Sequence, residues 1–157
     1  MKKLGKSSKK GFTLVELIVV IVILAVLAAM LVPALIGYID RARKEKDYQT
    51  ASTVYTAAQA AITEQYGRGK ITTKAVTTIS TGSYKDENGN DVVLLLAGVD
   101  SGKVTAYTFT TDKNLIITTG SVTIKNGGTT ATYNLAADGT WSASGVSYSG
   151  ANNVTGN

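Results

Sequence analysis

A chain of 157 residues has room for one membrane element and one small domain, and the lack of any cysteine or histidine removes Ser-His and Cys-His catalytic pairs, thiolate and imidazole metal sites, and acylated lipoprotein cysteines. An enzyme is not expected, nor a cofactor or a metal. The formal charge of +5 belongs to the first eleven residues: Lys2, Lys3, Lys6, Lys9 and Lys10 are five of the 16 Lys and Arg, and the 11 that remain meet 11 Asp and Glu. Residues 12–157 are therefore formally neutral, which argues against electrostatically driven nucleic-acid binding over the whole surface.

Residues 1–11 read as a short basic leader that stays hydrated on the cytoplasmic side and ends in Gly11. From Phe12 the chain turns apolar. After Glu16 it runs from Leu17 to Ile39, 23 residues, without a charged side chain. As a helix rising ~1.5 Å per residue, that run crosses a bilayer core of ~30 Å. The odd residue is Glu16, since an ionised acid deep in hydrocarbon costs roughly 2.5 to 3.5 kcal/mol and calls for a cation. A cut between Gly11 and Phe12 supplies one, because it frees an α-amino group, positive below a pKa of ~8, one helical turn from Glu16. Within one chain Phe12 and Glu16 are i,i+4 neighbours; between packed helices the amine of one subunit meets Glu16 of the next, and the acid becomes an assembly device.

Two plainer readings compete. A secretory signal peptide also has a basic start and an apolar region, and Val26-Leu27-Ala28 is a passable cleavage site, but Glu16 interrupts the region and apolar character continues past Ala28 to Ile39. A single-pass anchor explains the length but not the Gly11-Phe12 junction with its displaced acid. Five cations precede the span and four follow it (Arg41, Arg43, Lys44 and Lys46), so the positive-inside rule only weakly places the N-terminus inside.

Leader, Gly11, the run Phe12-Thr13-Leu14-Val15-Glu16 and an apolar helix containing Pro33 together resemble the class III signal and N-terminal helix of type IV prepilins. The resemblance covers about the first forty residues. It implies cleavage after Gly11 by a prepilin peptidase, N-methylation of Phe12 by the same enzyme, a single-pass precursor in the cytoplasmic membrane, and polymerisation with other copies through the apolar helix by pilus assembly machinery. The product is an extracellular filament for adhesion, motility or related surface functions. A pseudopilin of a secretion system or a competence pilin shares this N-terminus, and only the latter adds nucleic acid as a partner. A membrane-anchored monomeric binding domain is the remaining alternative. Many relatives close a C-terminal loop with a disulfide; this chain has no cysteine, a pattern more like pilins of Gram-positive anaerobes.

Further along, Pro33 cannot donate to Ala29, and Gly37 follows one turn later, so the helix is weakest there. A kink is the simple consequence; the resemblance adds loss of helicity on packing into a fibre. Asp40 to Asp47 alternate in sign and read mostly as a solvated helix face. Ala51, Val54, Tyr55, Ala58, Ala61, Ile62 and Tyr66 then recur at three- and four-residue spacing, an apolar stripe whose alanines let a sheet approach closely. Gly67 is the expected left-handed stop. This predicts one helix over 12–66, its 12–39 half spanning the membrane or filling a filament core and its 40–66 half amphipathic.

Residues 67–157 are rich in Thr, Val, Tyr, Ser and Gly and predict an antiparallel head. Val92 to Ala97 is expected as a strand after the turn at Asn88-Gly89, Val104 to Thr110 and Leu115 to Thr119 as two more, Ser121 to Ile124 as another, and Thr130 to Leu135 as the next. Asn126-Gly127-Gly128 and Asp138-Gly139 are hairpin turns, the second leading to Trp141, and Ser147 to Asn157 reads as a loose tail. The fold class is thus α+β, a long helix whose second half backs an antiparallel sheet. Asp86-Glu87-Asn88-Gly89-Asn90-Asp91 resembles a calcium loop only superficially, since its sixth and twelfth positions are Asp91 and Ala97 rather than Gly and Glu, and is expected as a polar hairpin. Trp141 and most tyrosines are expected in the core.

Overall fold

The computed structural model describes residues 11–145; the leader up to Lys10 and the tail from Ser147 lie outside the described residues. The layout is α+β: a long N-terminal helix, α1 (Leu14–Gly67), followed by a five-stranded antiparallel sheet. The chain divides into two units at Ile39–Asp40, where the apolar run ends. Phe12 and Thr13, expected inside the helix, precede it.

In the first unit every side chain from Phe12 to Ile39 is exposed. This half of α1 is long and apolar enough to cross a membrane, and among the described residues its apolar side chains stay exposed. In water such a surface is not sustainable at a hydrophobic cost of about 25 cal/mol per Å². Lipid or neighbouring helices must cover it. The helix runs through Pro33 without interruption, so the proline alone does not unwind it.

The second unit is built on the other half of α1. Ala51, Val54, Ala57, Ala58, Ala61 and Ile62 are buried, the expected stripe with Ala57 added and Tyr55 only partly buried against it. Tyr66 is not part of it: the residue is 41 % exposed and its ring lies under the Lys74 ammonium, 5.4 Å from the ring centroid. The left-handed residue after the helix is Gly69 (φ +70), not Gly67. The turn closes with Lys70 N–H donating to the carbonyl of Gln65 at 3.0 Å. Asp47, expected on a solvated face, is buried. Its carboxylate meets the Lys103 ammonium at 3.4 Å and accepts from the Asn126 side-chain amide, so the sheet reaches down to neutralise it.

The strands are β1 (Thr78–Ser80), β2 (Val104–Thr111), β3 (Ile117–Asn126), β4 (Thr129–Leu135) and β5 (Trp141–Ser144), paired in chain order. Val122 faces Tyr107 on one side and Tyr133 on the other, and all three are buried, as period-2 alternation requires. Phe109 and Ile79 face each other across β1 and β2 and are among the most deeply buried side chains. Of the aromatic residues expected in the core, Tyr107 and Tyr133 are buried, whereas Trp141 is only partly buried and packs edge-on against Tyr48 and Tyr55 of α1.

Two further expectations are corrected. Val92–Ala97 is a short helix, α2, not a strand. Asp91 caps it, its Oδ1 accepting from Val93 N–H at 2.9 Å and Leu94 N–H at 3.2 Å, and Gly98 ends it in the left-handed conformation (φ +63). The same carboxylate accepts from Gly82 N–H and from the Tyr107 hydroxyl. Burial, with Asp91 beside it, pushes that hydroxyl well above the ordinary tyrosine range, so it remains a donor. Secondly, the strands read as Leu115 to Thr119 and Ser121 to Ile124 are one strand, β3. Gly120 lies within this strand where Phe109 crosses, and a Cβ there would overlap Phe109 Cδ1 and lie 2.6 Å from the Thr108 carbonyl oxygen. Leu115, at φ +66, belongs to the connection before β3. Gln59 of α1 holds that connection, donating to the Leu115 carbonyl and accepting from Ile117 N–H, both at 2.9 Å.

The loop at 86–91 is a polar turn closed by an isolated bridge between Lys85 and Asp91. Asp86 turns its oxygens inward, accepting from Asn88 and Asn90 N–H at 2.9 and 2.7 Å.

Candidate functional site

The candidate site is the start of α1. Gly11, Phe12 and Thr13 form no helix, so the Gly11-Phe12 peptide lies in irregular chain two residues ahead of the first helical turn. A Cβ built on Gly11 meets nothing within 4 Å, and the Phe12 ring is 86 % exposed. A hydrolase needs its scissile peptide outside regular structure and clear of neighbours, and among the described residues this one is both.

Thr13 starts the helix. Its Oγ1 accepts from Glu16 N–H at 3.2 Å, and Glu16 Oε2 accepts in return from Thr13 N–H at 2.8 Å and Thr13 Oγ1–H at 2.9 Å. The first helical bond, Leu17 N–H to Thr13 carbonyl, is 3.2 Å. This is a reciprocal capping box: each side chain satisfies a backbone N–H of the other, and the carboxylate sits at the positive end of the helix. Thr13 was not singled out from the sequence, although Thr13-Leu14-Val15-Glu16 has the S/T-x-x-E spacing that signals such a box.

The box changes the arithmetic of the acid. Glu16 in a lone chain is not without partners, since three donor and acceptor pairs tie it to Thr13. Only Oε2 is used, however; Oε1 accepts from no group among the described residues. One oxygen is bound locally while the other stays open to a second donor.

Pro33 lies in the middle of the exposed apolar half. Its missing N–H leaves the Ala29 carbonyl without its usual donor. Gly37, one turn on, has no atom within 4 Å of a built Cβ. The two residues weaken the helix without breaking it. Among the described residues no group of three or more Asp, Glu, His or Cys is placed to hold a metal.

Residues 6–32 match the family model of the prokaryotic N-terminal methylation motif, the class III signal peptide of type IV pilins. The match covers Gly11, Phe12, Thr13 and Glu16 and stops just short of Pro33. No solved structure matches the chain.

Proposed function

We propose that this type IV pilin- or pseudopilin-like, membrane-anchored precursor is a structural subunit of a type IV pilus. It inserts with its N-terminus inside, is cut between Gly11 and Phe12, and is N-methylated on Phe12. The mature chain then polymerises through the 12–39 half of α1 into an extracellular filament. One observation carries the reading: the methylation motif at 6–32 falls on an accessible Gly-Phe peptide directly ahead of a capped helix with an uncovered apolar surface.

The chemistry is done to this chain by partner enzymes. Hydrolysis by prepilin peptidase adds water across the Gly11-Phe12 bond, leaving a carboxylate on Gly11 and an amine on Phe12, and a methyl donor supplies the methyl group. Gly11 lets the peptidase approach the backbone without a side chain in the way. The freed amine is the donor that Glu16 Oε1 lacks. In a low-dielectric fibre core such a pair is held strongly once formed, because breaking it costs roughly 3 to 5 kcal/mol. The capping box holds Glu16 in one rotamer beforehand, so less ordering is left for assembly.

A pseudopilin or competence pilin would use the same site, and filament length separates these from a pilus subunit. Gly11→Val tests the processing step. The variant should remain at precursor mass in the membrane fraction and give no surface fibres; processing at the parental rate would remove Gly11 from the site.

A further inference from the structure

The cations just past the apolar run have no part in processing or assembly as proposed. Arg41, Arg43, Lys44 and Lys46 begin within two residues of Ile39, on the side that the positive-inside rule leaves poor in charge. Two of them, Arg43 and Lys46, line a half-open cleft of about 490 Å³ in the head unit with Lys103, Asn126 and the Gly127-Gly128 turn.

The cleft is cationic. Its one acid, Asp47, is buried with both oxygens engaged, Oδ1 by Lys103 and Oδ2 by Asn126. It lines the cleft, orients those two side chains, and has its charge met by the Lys103 ammonium. Arg43 touches Asp40 only at 3.9 Å, with most of its side chain in solvent, a geometry worth little. Lys46 is exposed and makes no ion pair among the described residues. Three cations thus outnumber Asp47 and Asp40 together. The turn adds backbone donors: neither the Gly127 nor the Gly128 N–H is used within the described residues, and a Cβ at either glycine would meet nothing within 4 Å. Thr129 Oγ1 is turned away, donating to the Asn126 carbonyl at 3.0 Å. A guanidinium, two ammonium groups and two free amides around one cavity match a tetrahedral oxyanion. The volume exceeds that of a bare phosphate and leaves space for the alcohol it esterifies.

We propose that this cleft binds a phosphate oxyanion, supplied in the precursor by the headgroup of an anionic phospholipid. Arg43 stands four residues, one helical turn, past the end of the apolar run, which is where headgroup phosphates begin. The site would hold the precursor at the membrane surface until assembly draws it out. The lipid source rests on the membrane-precursor reading given above; the oxyanion site does not.

The test uses the full uncleaved chain and reads the amide resonances of Gly127 and Gly128. In neutral detergent micelles, sodium phosphate should shift both saturably while sodium chloride at equal ionic strength does not. In nanodiscs, phosphatidylglycerol should produce the shift and phosphatidylcholine alone should not. The pair Arg43→Gln and Lys46→Gln, both exposed and outside the core, should weaken either response by about tenfold or more and leave the rest of the spectrum in place. A response to phosphate but not to phosphatidylglycerol keeps the oxyanion site and overturns the lipid as its occupant. No saturable shift with either probe overturns the proposal. Because the chain is read uncut, the result is independent of whether cleavage occurs after Gly11.

Discussion

Three substitutions separate the two tasks that the structure gives Glu16. Glu16→Gln keeps an acceptor for Thr13 N–H, since glutamine serves in a capping box as well as glutamate does, but it removes the charge. Thr13→Ala removes the cap and keeps the charge. Glu16→Ala removes both. Loss of the cap costs helix α1 about 1 kcal/mol, a small fraction of what holds a long apolar helix in a membrane. Loss of the charge leaves the Phe12 amine of an adjoining subunit without its counter-charge, at roughly 3 to 5 kcal/mol per contact, or about a hundredfold or more in each association step. All three variants should therefore insert and be cut after Gly11, and the two Glu16 variants should insert at least as well as the parent, because they spare the membrane an acid. Thr13→Ala should make filaments, whereas Glu16→Gln and Glu16→Ala should leave mature subunit in the membrane with few fibres outside. Mixed with parent subunits, a Glu16 variant should enter fibres at reduced frequency, because one of its two intersubunit charge contacts survives. Electron microscopy of sheared surface material from strains expressing each variant alone decides the matter. Abundant filaments of normal length from Glu16→Gln would refute the assembly role, and failure of Thr13→Ala alone would show that the acid acts as a cap.

Other predictions concern the head. A chain beginning at Asp40 should be a soluble folded monomer unaffected by reductant, because it retains the Ala51 to Ile62 layer; if it aggregates while residues 67–157 alone fold, α1 is not the backing of the sheet. Gly120→Ala should destabilise that head by about 1 to 3 kcal/mol or more, as overpacking against Phe109 demands, and an unchanged denaturation midpoint would contradict the crossing described. Stability should also fall in acid. Asp86, hydrogen-bonded first by the Asn90 side chain, Asp112 by the Ile116 N–H, and Asp138 by Thr140 all have carboxyl groups held below the ordinary aspartate range. Their contribution is fully present above the unfolded value of about 3.9 and is lost as pH falls through the lower folded values. A melting temperature that rises on acidification through this window would contradict the capping roles of these loops.

The helix and its division into an apolar and a backing half were legible because both signals are long: one uncharged run, then one stripe at helical spacing. The head was legible where turns are written in Gly and Asn, as at Gly127-Gly128 and Asp138-Gly139. It was misread where one residue type serves two ends. Gly120 separates two runs that read as separate strands, but it is the gap that Phe109 fills inside one strand, a cross-strand fact that no local pattern holds. Val92–Ala97 is apolar enough for a strand, and its Asp91 cap and Gly98 stop were overlooked. Asp47 looks like its charged neighbours, and only the arrival of Lys103 and Asn126 from the sheet, far along the chain, makes it a core residue. At the candidate site, Gly11, Phe12 and Glu16 stood out because an acid in an apolar run demands a reason. Thr13 did not, because a threonine there demands none.

The pilus-subunit role stands most directly on where the mature chain begins. Mass spectrometry of the N-terminal peptide from protein sheared off the cell surface should find N-methylated Phe12 as the first residue, with residues 1–11 absent. A mature chain starting after Ala28 would contradict the account and make the protein a secreted domain, and surface protein still carrying Met1 to Gly11 would leave an anchored domain in place of a fibre subunit.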